Sequence, residues 1–273
     1  YERLLTRHRV PLITKYPFSH FASLKYFDII KRYKLVSKSH KIIIFSKSVA
    51  SLEAIVYYFK YILYEYHPKN VCFILYNYGT KKEHTNRITN ITKKMMVDRI
   101  DWEKPLNNKN IEEVITIIPI SNVELVIIDV NILIESQPYL RQYCFQTILS
   151  LFVTSIKKIK IGGNIIIFMP LITSKLFLNF LIYLNDYFEK ITIENEEVTE
   201  PGDHWQFVVF RKYKGGIDEI IEQLLEINKK NYECDPTGGY RYEISNEEIR
   251  KLLQKSELSE KPADCYLNNI VSI

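Results

Sequence analysis

A run of mostly branched apolar residues, Val123–Asp129, limits the possible fold of this chain more than any other stretch, and it ends on a carboxylate. Such a run, apolar on both faces, is typical of a central strand in a sheet that helices cover on both sides. In open α/β sheets, ligands bind beyond the carboxyl ends of the strands. Asp129 is therefore a candidate site residue. The alternative is that it caps the loop or helix that follows.

The composition is typical of a globular protein and gives no sign of a metal-binding, disulfide-rich or membrane-spanning protein. The chain has 273 residues and 47% hydrophobic residues, enough for one large α/β domain with an appendage or for two small domains. Its cysteines and histidines share no ligand spacing, so we expect no metal site and no disulfide framework. No stretch reaches the ~18 apolar residues of a membrane span, so we expect no membrane partner and a cytoplasmic or viral replication compartment.

The net charge of +5 is divided unevenly along the chain. Residues 1–110 carry 21 Lys/Arg and 8 Asp/Glu, whereas acidic residues are in excess in the remainder. A basic half on an otherwise acidic molecule indicates a surface that binds a polyanion such as RNA or DNA. The alternative is a Lys-rich composition that only decorates the solvated surface.

Strands alternate with helices, and this order predicts a parallel, doubly wound sheet whose last pair is antiparallel. Seven strands are predicted, at residues 41–46, 71–76, 114–118, 123–130, 164–169, 190–194 and 205–211. The main helices are predicted at residues 19–33, 48–67, 138–160 and 173–187, with a short one at 91–100. Ser48 or Ser51 is the expected N-cap of the second helix, and Gly162 and Gly163 are expected to end the helix at 138–160.

Three regions are expected in the chain. Residues 1–18 form a basic N-terminal arm, residues 19–215 form the α/β domain, and residues 216–273 form a C-terminal helical appendage. Because the sequence begins with Tyr1, we expect a domain cut from a longer protein or a chain with a disordered start.

Several segments, taken in order, resemble the FtsJ-like RNA ribose 2′-O-methyltransferases, including those of viral mRNA capping. The helix around Lys25 is similar to the family's helix with a catalytic Lys, and Val123–Asp129 is similar to the strand that ends on the catalytic Asp. Residues 145–168 and 204–210 are similar to the later helix and strands. The resemblance covers residues 19–215. It implies a Rossmann-like methyltransferase fold with a mostly parallel seven-stranded sheet, S-adenosylmethionine as cofactor, and Lys25 and Asp129 as catalytic residues.

The chain lacks two of the catalytic residues that the resemblance implies, the second Lys and the Glu. The family's second Lys falls on Phe168, which cannot take a proton, and its Glu falls on Trp205 or a neighbour. A Lys that must lose its proton depends on such neighbours to lower its pKa.

The expected cofactor turn departs further. After the first strand the family has a Gly-rich turn, because only Gly lets the backbone approach the ligand closely. Here the turn contains Ser46, Lys47 and Ser48 and has no glycine. We therefore expect no bound cofactor.

Two functions stay open on the sequence alone. The first is a degenerate, inactive methyltransferase-like domain that binds RNA or acts as a scaffold beside other subunits of an RNA-processing or viral capping and replication assembly. The second is an active, S-adenosylmethionine-dependent cap 2′-O-methyltransferase with a divergent cofactor turn. The predicted RNA contacts of the basic half are Arg3, Arg7, Arg9, Lys15, Lys31, Arg32, Lys93 and Lys94.

Overall fold

The structure is a computed structural model in which the chain divides into two compact units. The first unit comprises residues 1–104 and 122–129, and the second comprises residues 105–121 and 130–273. The structure describes residues 18, 21–46, 48–65, 70–76, 92, 97–102, 111–129, 140–170, 175–195, 205–217, 221–222 and 271–272.

The first unit is a parallel sheet with two helices. Its strands lie in the order β3, β2, β1, β4, and each neighbouring pair is parallel. Its elements are α1 (Phe21–Tyr33), β1 (Ile42–Ser46), α2 (Ala50–Tyr61), β2 (Val71–Tyr76), β3 (Asp98–Trp102) and β4 (Val123–Asp129).

Burial explains the composition of these strands. Every residue of β1 is buried, and in β4 all but Glu124 are buried, including Val126 and Ile128 at 0% exposure. Strands buried on both faces need apolar side chains at consecutive positions. The prediction that Val123–Asp129 is an interior strand is therefore confirmed.

Helices α1 and α2 of the first unit pack through aromatic rings and one buried polar bond. The ring of Phe27 lies 5.9 Å from that of Tyr58 and 5.3 Å from that of Phe18. Ser23 donates a hydrogen bond to the Glu53 carboxylate at 2.5 Å, and both residues are buried. The bond compensates part of the desolvation of a carboxylate that would otherwise be costly to bury.

The second unit contains helices and a mixed set of strands in the order β5, β7, β6, β8. Strand β7 is antiparallel to both β5 and β6, and β8 is parallel to β6, so the predicted antiparallel last pair is confirmed. Its elements are α3 (Ile111–Ile117), α4 (Leu140–Lys158), β5 (Ile159–Pro170), α5 (Lys175–Leu184), a 3-10 turn (Asn185–Tyr187), β6 (Phe188–Asn195), β7 (Trp205–Tyr213) and β8 (Val271–Ser272).

An aromatic cluster forms part of the core of the second unit. The ring of Phe152, on α4, lies 5.5 Å from Phe180, 6.3 Å from Phe188 and 5.6 Å from Phe210. All four side chains are buried. Edge-on and tilted aromatic pairs of this kind add to the stabilisation from burial alone.

Three predicted elements are wrong. The expected strand at residues 114–118 is the helix α3, and the end of the expected short helix at 91–100 belongs to β3. Helix α4 ends at Lys158, so Gly162 and Gly163 lie inside β5 and do not end the helix. Most of the predicted arm and appendage lies outside the described residues, and the three predicted regions stay predictions.

Candidate functional site

The candidate site lies at the carboxyl ends of β1 and β4. These strands pair in parallel, with Phe45 opposite Ile128, so the next residues, Ser46 and Asp129, end the two strands side by side. Ser46 is 0% exposed and Asp129 is 3% exposed. The sequence therefore placed Asp129 correctly at a strand end, in the position where this class of sheet binds ligands.

Serine hydroxyls bind the Asp129 carboxylate directly. Ser46 Oγ donates to Asp129 Oδ2 at 3.0 Å, and Ser48 Oγ donates to the same oxygen at 3.4 Å. An ionised carboxylate only accepts hydrogen bonds, so hydroxyl donors stabilise its charged form. Asp129 is thus an acceptor held by the turn that follows β1. The alternative, that it caps the following loop or helix, concerns residues outside the described part of the chain and stays a prediction.

The same hydroxyls hold the backbone of the turn. Ser46 Oγ accepts a hydrogen bond from the Ser48 backbone N–H at 3.0 Å, and Ser48 Oγ accepts one from the Ala50 N–H at 3.3 Å. Serine side chains satisfy backbone donors in this way in turns that precede helices. The turn is therefore fixed by its own side chains together with Asp129.

The N-terminus of α2 differs from the prediction. The N-cap is Val49, which offers no side-chain acceptor, so neither Ser48 nor Ser51 takes that position. Ser51 is 0% exposed in the first turn of the helix. Its Oγ has no hydrogen-bond partner in the part of the chain that the structure describes. Sequence reasoning missed this buried hydroxyl, although its place in the serine-rich turn was a signal for it.

The turn does not offer the bare backbone that an adenosylmethionine site of the FtsJ-like type uses. Ser46 and Ser51 are completely buried, and the Ser46 and Ser48 hydroxyls are already bonded to Asp129. A ligand lying against this backbone would have to displace side chains that are hydrogen-bonded in place. This turn therefore has bonded side chains at positions where the resemblance implies glycines, and Lys47 of the same turn lies outside the described residues.

Lys25, the other predicted catalytic residue, lies on α1 and is partly buried. On the same helix, Ser23 and Phe27 contact α2. Hydrogen bonds join Ser46, Ser48 and Asp129 into one group, and Lys25 is assigned to this site by the resemblance alone.

The position that resembles the family's second Lys is apolar. Phe168 lies on β5 at 4% exposure, and its ring centroid is 4.5 Å from that of Phe207 on β7. An aromatic pair of this kind is part of a packed core and cannot exchange protons. The side chain of Trp205 lies outside the described residues, and its neighbour Gln206 is buried.

Two members of the predicted basic face can be placed. Lys31 and Arg32 lie exposed in the last turn of α1, and Arg32 forms an ion pair with Asp28 one turn earlier. Cations at the end of a helix also interact favourably with its macrodipole. The other predicted RNA contacts, Arg3, Arg7, Arg9, Lys15, Lys93 and Lys94, lie outside the described residues.

Within the described ranges, no three His, Cys, Asp or Glu residues are grouped so that they could hold a metal ion. None of the helices described is long and apolar enough to cross a membrane.

The parallel strands of the first unit, the acid that ends β4 and the antiparallel β6/β7 pair define a methyltransferase-like α/β fold. No protein-family model matches the chain, and no curated protein sequence matches it. Solved structures do match it.

A Plasmodium falciparum protein assigned as a ribosomal RNA methyltransferase has 17% sequence identity and a TM-score of 0.50, over 73% of this chain and 100% of that one. An rRNA methylase of Streptococcus thermophilus has 8% identity and a TM-score of 0.43, over 71% of this chain and 96% of that one. NSun6 of Pyrococcus horikoshii, solved with SFG, has 10% identity and a TM-score of 0.45, over 71% of this chain and 52% of that one. The first likeness confirms the predicted fold class, Rossmann-like and of the methyltransferase type.

Proposed function

We propose that this chain is a methyltransferase-like domain without methyl-transfer activity, which binds RNA or acts as a scaffold in an RNA-processing or viral capping and replication assembly. The observation that carries the proposal is the group formed by Ser46, Ser48 and Asp129. In the family that the sequence resembles, this place belongs to a Gly-rich turn and its cofactor. Here it is filled by side chains bonded to one another.

The buried Phe168 supports the same conclusion independently. Catalytic groups that tune one another's pKa act as a unit, so the loss of one member removes much more than a proportionate share of the rate. Where the resemblance implies a Lys, this chain has an apolar ring packed against Phe207, which carries no charge. Lys25 and Asp129 are then available for RNA contacts or for structural roles.

RNA is the partner that the charge distribution favours. The first 110 residues carry 21 Lys/Arg against 8 Asp/Glu, and the named solved structures include an rRNA methylase and a protein assigned as a ribosomal RNA methyltransferase. Contacts to phosphates give affinity that falls with salt and needs no base-specific reading. Such binding suits a domain that holds RNA for other subunits.

RNA binding by the full chain tests the proposal. Fluorescence anisotropy with a single-stranded RNA should give an affinity that falls with salt, with a log-log slope of about −0.7 per phosphate neutralised. Replacing Lys31→Glu and Arg32→Glu together should weaken binding and flatten the slope, because both side chains are exposed on α1. The matched control, Lys31→Arg with Arg32→Lys, keeps both charges and should bind like the unchanged chain. Affinity independent of salt would contradict the proposal.

An active RNA 2′-O-methyltransferase is the second candidate, favoured by the presence of Asp129 at the end of β4. In that case Lys25 and Asp129 would be its catalytic residues and S-adenosylmethionine its cofactor. We expect no transfer of a radiolabelled methyl group to capped RNA by the chain. Transfer that disappears in Asp129→Asn, with unfolding curves that show the variant is folded, would establish the second candidate in place of the first.

A further inference from the structure

The carboxyl ends of α1 and α2 lie on the same side of the first unit. The Ser23–Glu53 hydrogen bond joins the first turns of the two helices. The Phe27–Tyr58 ring pair joins them farther along. Because both contacts advance together along the chain, the two helices run in the same general direction, and they also end together.

These helix ends lie away from the candidate site. Helix α2 starts just after the carboxyl end of β1 and leads back to the amino end of β2, which is parallel to β1. The carboxyl end of α2 is therefore on the side of the sheet where the strands begin. An ion pair between Lys38 Nζ and Glu65 Oε1, at 3.2 Å, joins the segments that follow the two helices.

Both helices end on a left-handed residue that carries a side chain. The φ angle is +52° at Lys34 and +57° at Tyr64. Directly after the second of these, the Glu65 N–H donates to the Phe59 carbonyl oxygen at 2.9 Å. A left-handed residue at the end of a helix is ordinarily glycine, because a side chain there is strained.

Tyr64 combines this strained backbone with an exposed ring. Its side chain is 80% exposed, more than any other large hydrophobic side chain in the described part of the chain. A glycine at this position would allow the same backbone and would expose no aromatic surface. A strained residue that the fold itself does not require is a candidate for contact with a ligand.

The ring and the nearby cations form one helix-end surface. Its members are exposed and combine an aromatic ring with three lysines: Lys31, Lys34, Lys38 and Tyr64. The carboxylates described beside them are Asp28, paired with Arg32, and Glu65, paired with Lys38. Exposed ion pairs contribute little stability, so a phosphate can replace a carboxylate in such a pair with little loss.

We propose that the helix-end surface binds single-stranded RNA, with an unpaired base stacked on the Tyr64 ring and neighbouring phosphates bound by Lys34 and Lys38. Unpaired bases stack on exposed aromatic rings whatever their sequence, and lysines bind the phosphates between them. The choice of RNA rests on the proposed function, whereas the surface rests on the geometry of the helix ends. This site is separate from the group formed by Ser46, Ser48 and Asp129.

The Tyr64→Gly variant of the full chain tests the stacking contact. Glycine is favoured at a left-handed helix end, so the thermal unfolding midpoint should be unchanged or higher. Fluorescence anisotropy with a single-stranded oligouridine should show binding about tenfold weaker, as expected for the loss of one stacked base. The log-log salt slope should stay the same, because no charge is removed. The control, Tyr64→Phe, keeps the ring and should bind like the unchanged chain.

The Lys34→Gln and Lys38→Gln double variant tests the phosphate contacts. Both side chains are exposed, so stability should change little. The log-log salt slope should become smaller by about 1.4, which corresponds to two phosphates on a single strand. The matched control, Lys34→Arg with Lys38→Arg, keeps both charges and should retain the slope of the unchanged chain.

Two results would overturn the inference and leave the proposed function intact, provided that the unchanged chain binds RNA. One is an equal RNA affinity in Tyr64→Gly and the unchanged chain. The other is self-association in analytical ultracentrifugation that Tyr64→Gly abolishes without weakening RNA binding, which would assign the ring to a contact between copies of the chain. The absence of RNA binding by the unchanged chain would instead contradict the proposed function itself.

Discussion

At the scale of single residues, three serines decide what the turn after β1 can do. Ser46 and Ser48 donate to Asp129, and Ser51 is buried with no hydrogen-bond partner in the described part of the chain. Removing a buried hydroxyl that is hydrogen-bonded should therefore lower the free energy of unfolding. Removing one that is not hydrogen-bonded should leave that free energy unchanged or raise it slightly.

We predict that Ser46→Ala lowers the free energy of unfolding by about 1 to 3 kcal/mol, because it leaves a buried carboxylate with one donor fewer. The matched variant Ser51→Ala should be neutral or slightly stabilising, because it removes a hydroxyl that lost its water on folding without a replacement bond. Urea unfolding of both variants measures the two values. Equal losses in the two variants would show that the hydrogen bond to Asp129 contributes nothing.

The sequence was sufficient to locate Asp129, because a strand buried on both faces has a recognisable composition and its last residue follows directly. It was not sufficient to find the buried Ser23–Glu53 bond, since a Glu in the first turn of a helix is ordinarily solvent-exposed. Contacts between residues distant in the sequence leave no periodic signal.

At the scale of elements, the pair α1 and α2 carries a group that responds to pH. Tyr57 of α2 lies among aromatic rings, 5.2 Å from Phe18 and 5.6 Å from Tyr61. Burial raises the pKa of the Tyr57 phenol to about 12, with Glu53 and Tyr61 as smaller causes in the same direction. Folding therefore favours the neutral phenol.

We predict a loss of stability between pH 10 and about 12 that depends on Tyr57. In this window the unfolded chain releases the Tyr57 proton while the folded chain retains it, so the unfolded state binds fewer protons and stability falls as pH rises. The Tyr57→Phe variant has no such proton and should lose less stability between pH 8 and 11, as measured by urea unfolding. Tyr64→Phe, at a position 80% exposed, is the control. A decline identical in Tyr57→Phe and the unchanged chain would contradict the assignment.

Short elements were the hardest to predict, for identifiable reasons. Helix α3 is rich in β-branched residues, which favour strands in isolation. Val114 in the helix and Ile118 directly after it are nevertheless buried at helical spacing, while Thr116 is exposed. Strand β3 at the edge of its sheet is charged, and its Arg99 is bonded to Asp101. Charged residues protect an edge strand from further pairing. They also leave β3 without the apolar run from which a strand is ordinarily predicted.

At the scale of the whole molecule, the chain has a methyltransferase-like fold, and its basic residues are concentrated in residues 1–110. The fold class was predictable because alternating strands and helices permit few arrangements.

The most direct test of the account is equilibrium binding of S-adenosylmethionine to the purified full chain by calorimetry. The account predicts no measurable binding at physiological concentrations of the cofactor, because the Ser46 and Ser48 side chains stand where the ligand would need bare backbone. A dissociation constant near 1 μM, about −8 kcal/mol, would contradict it.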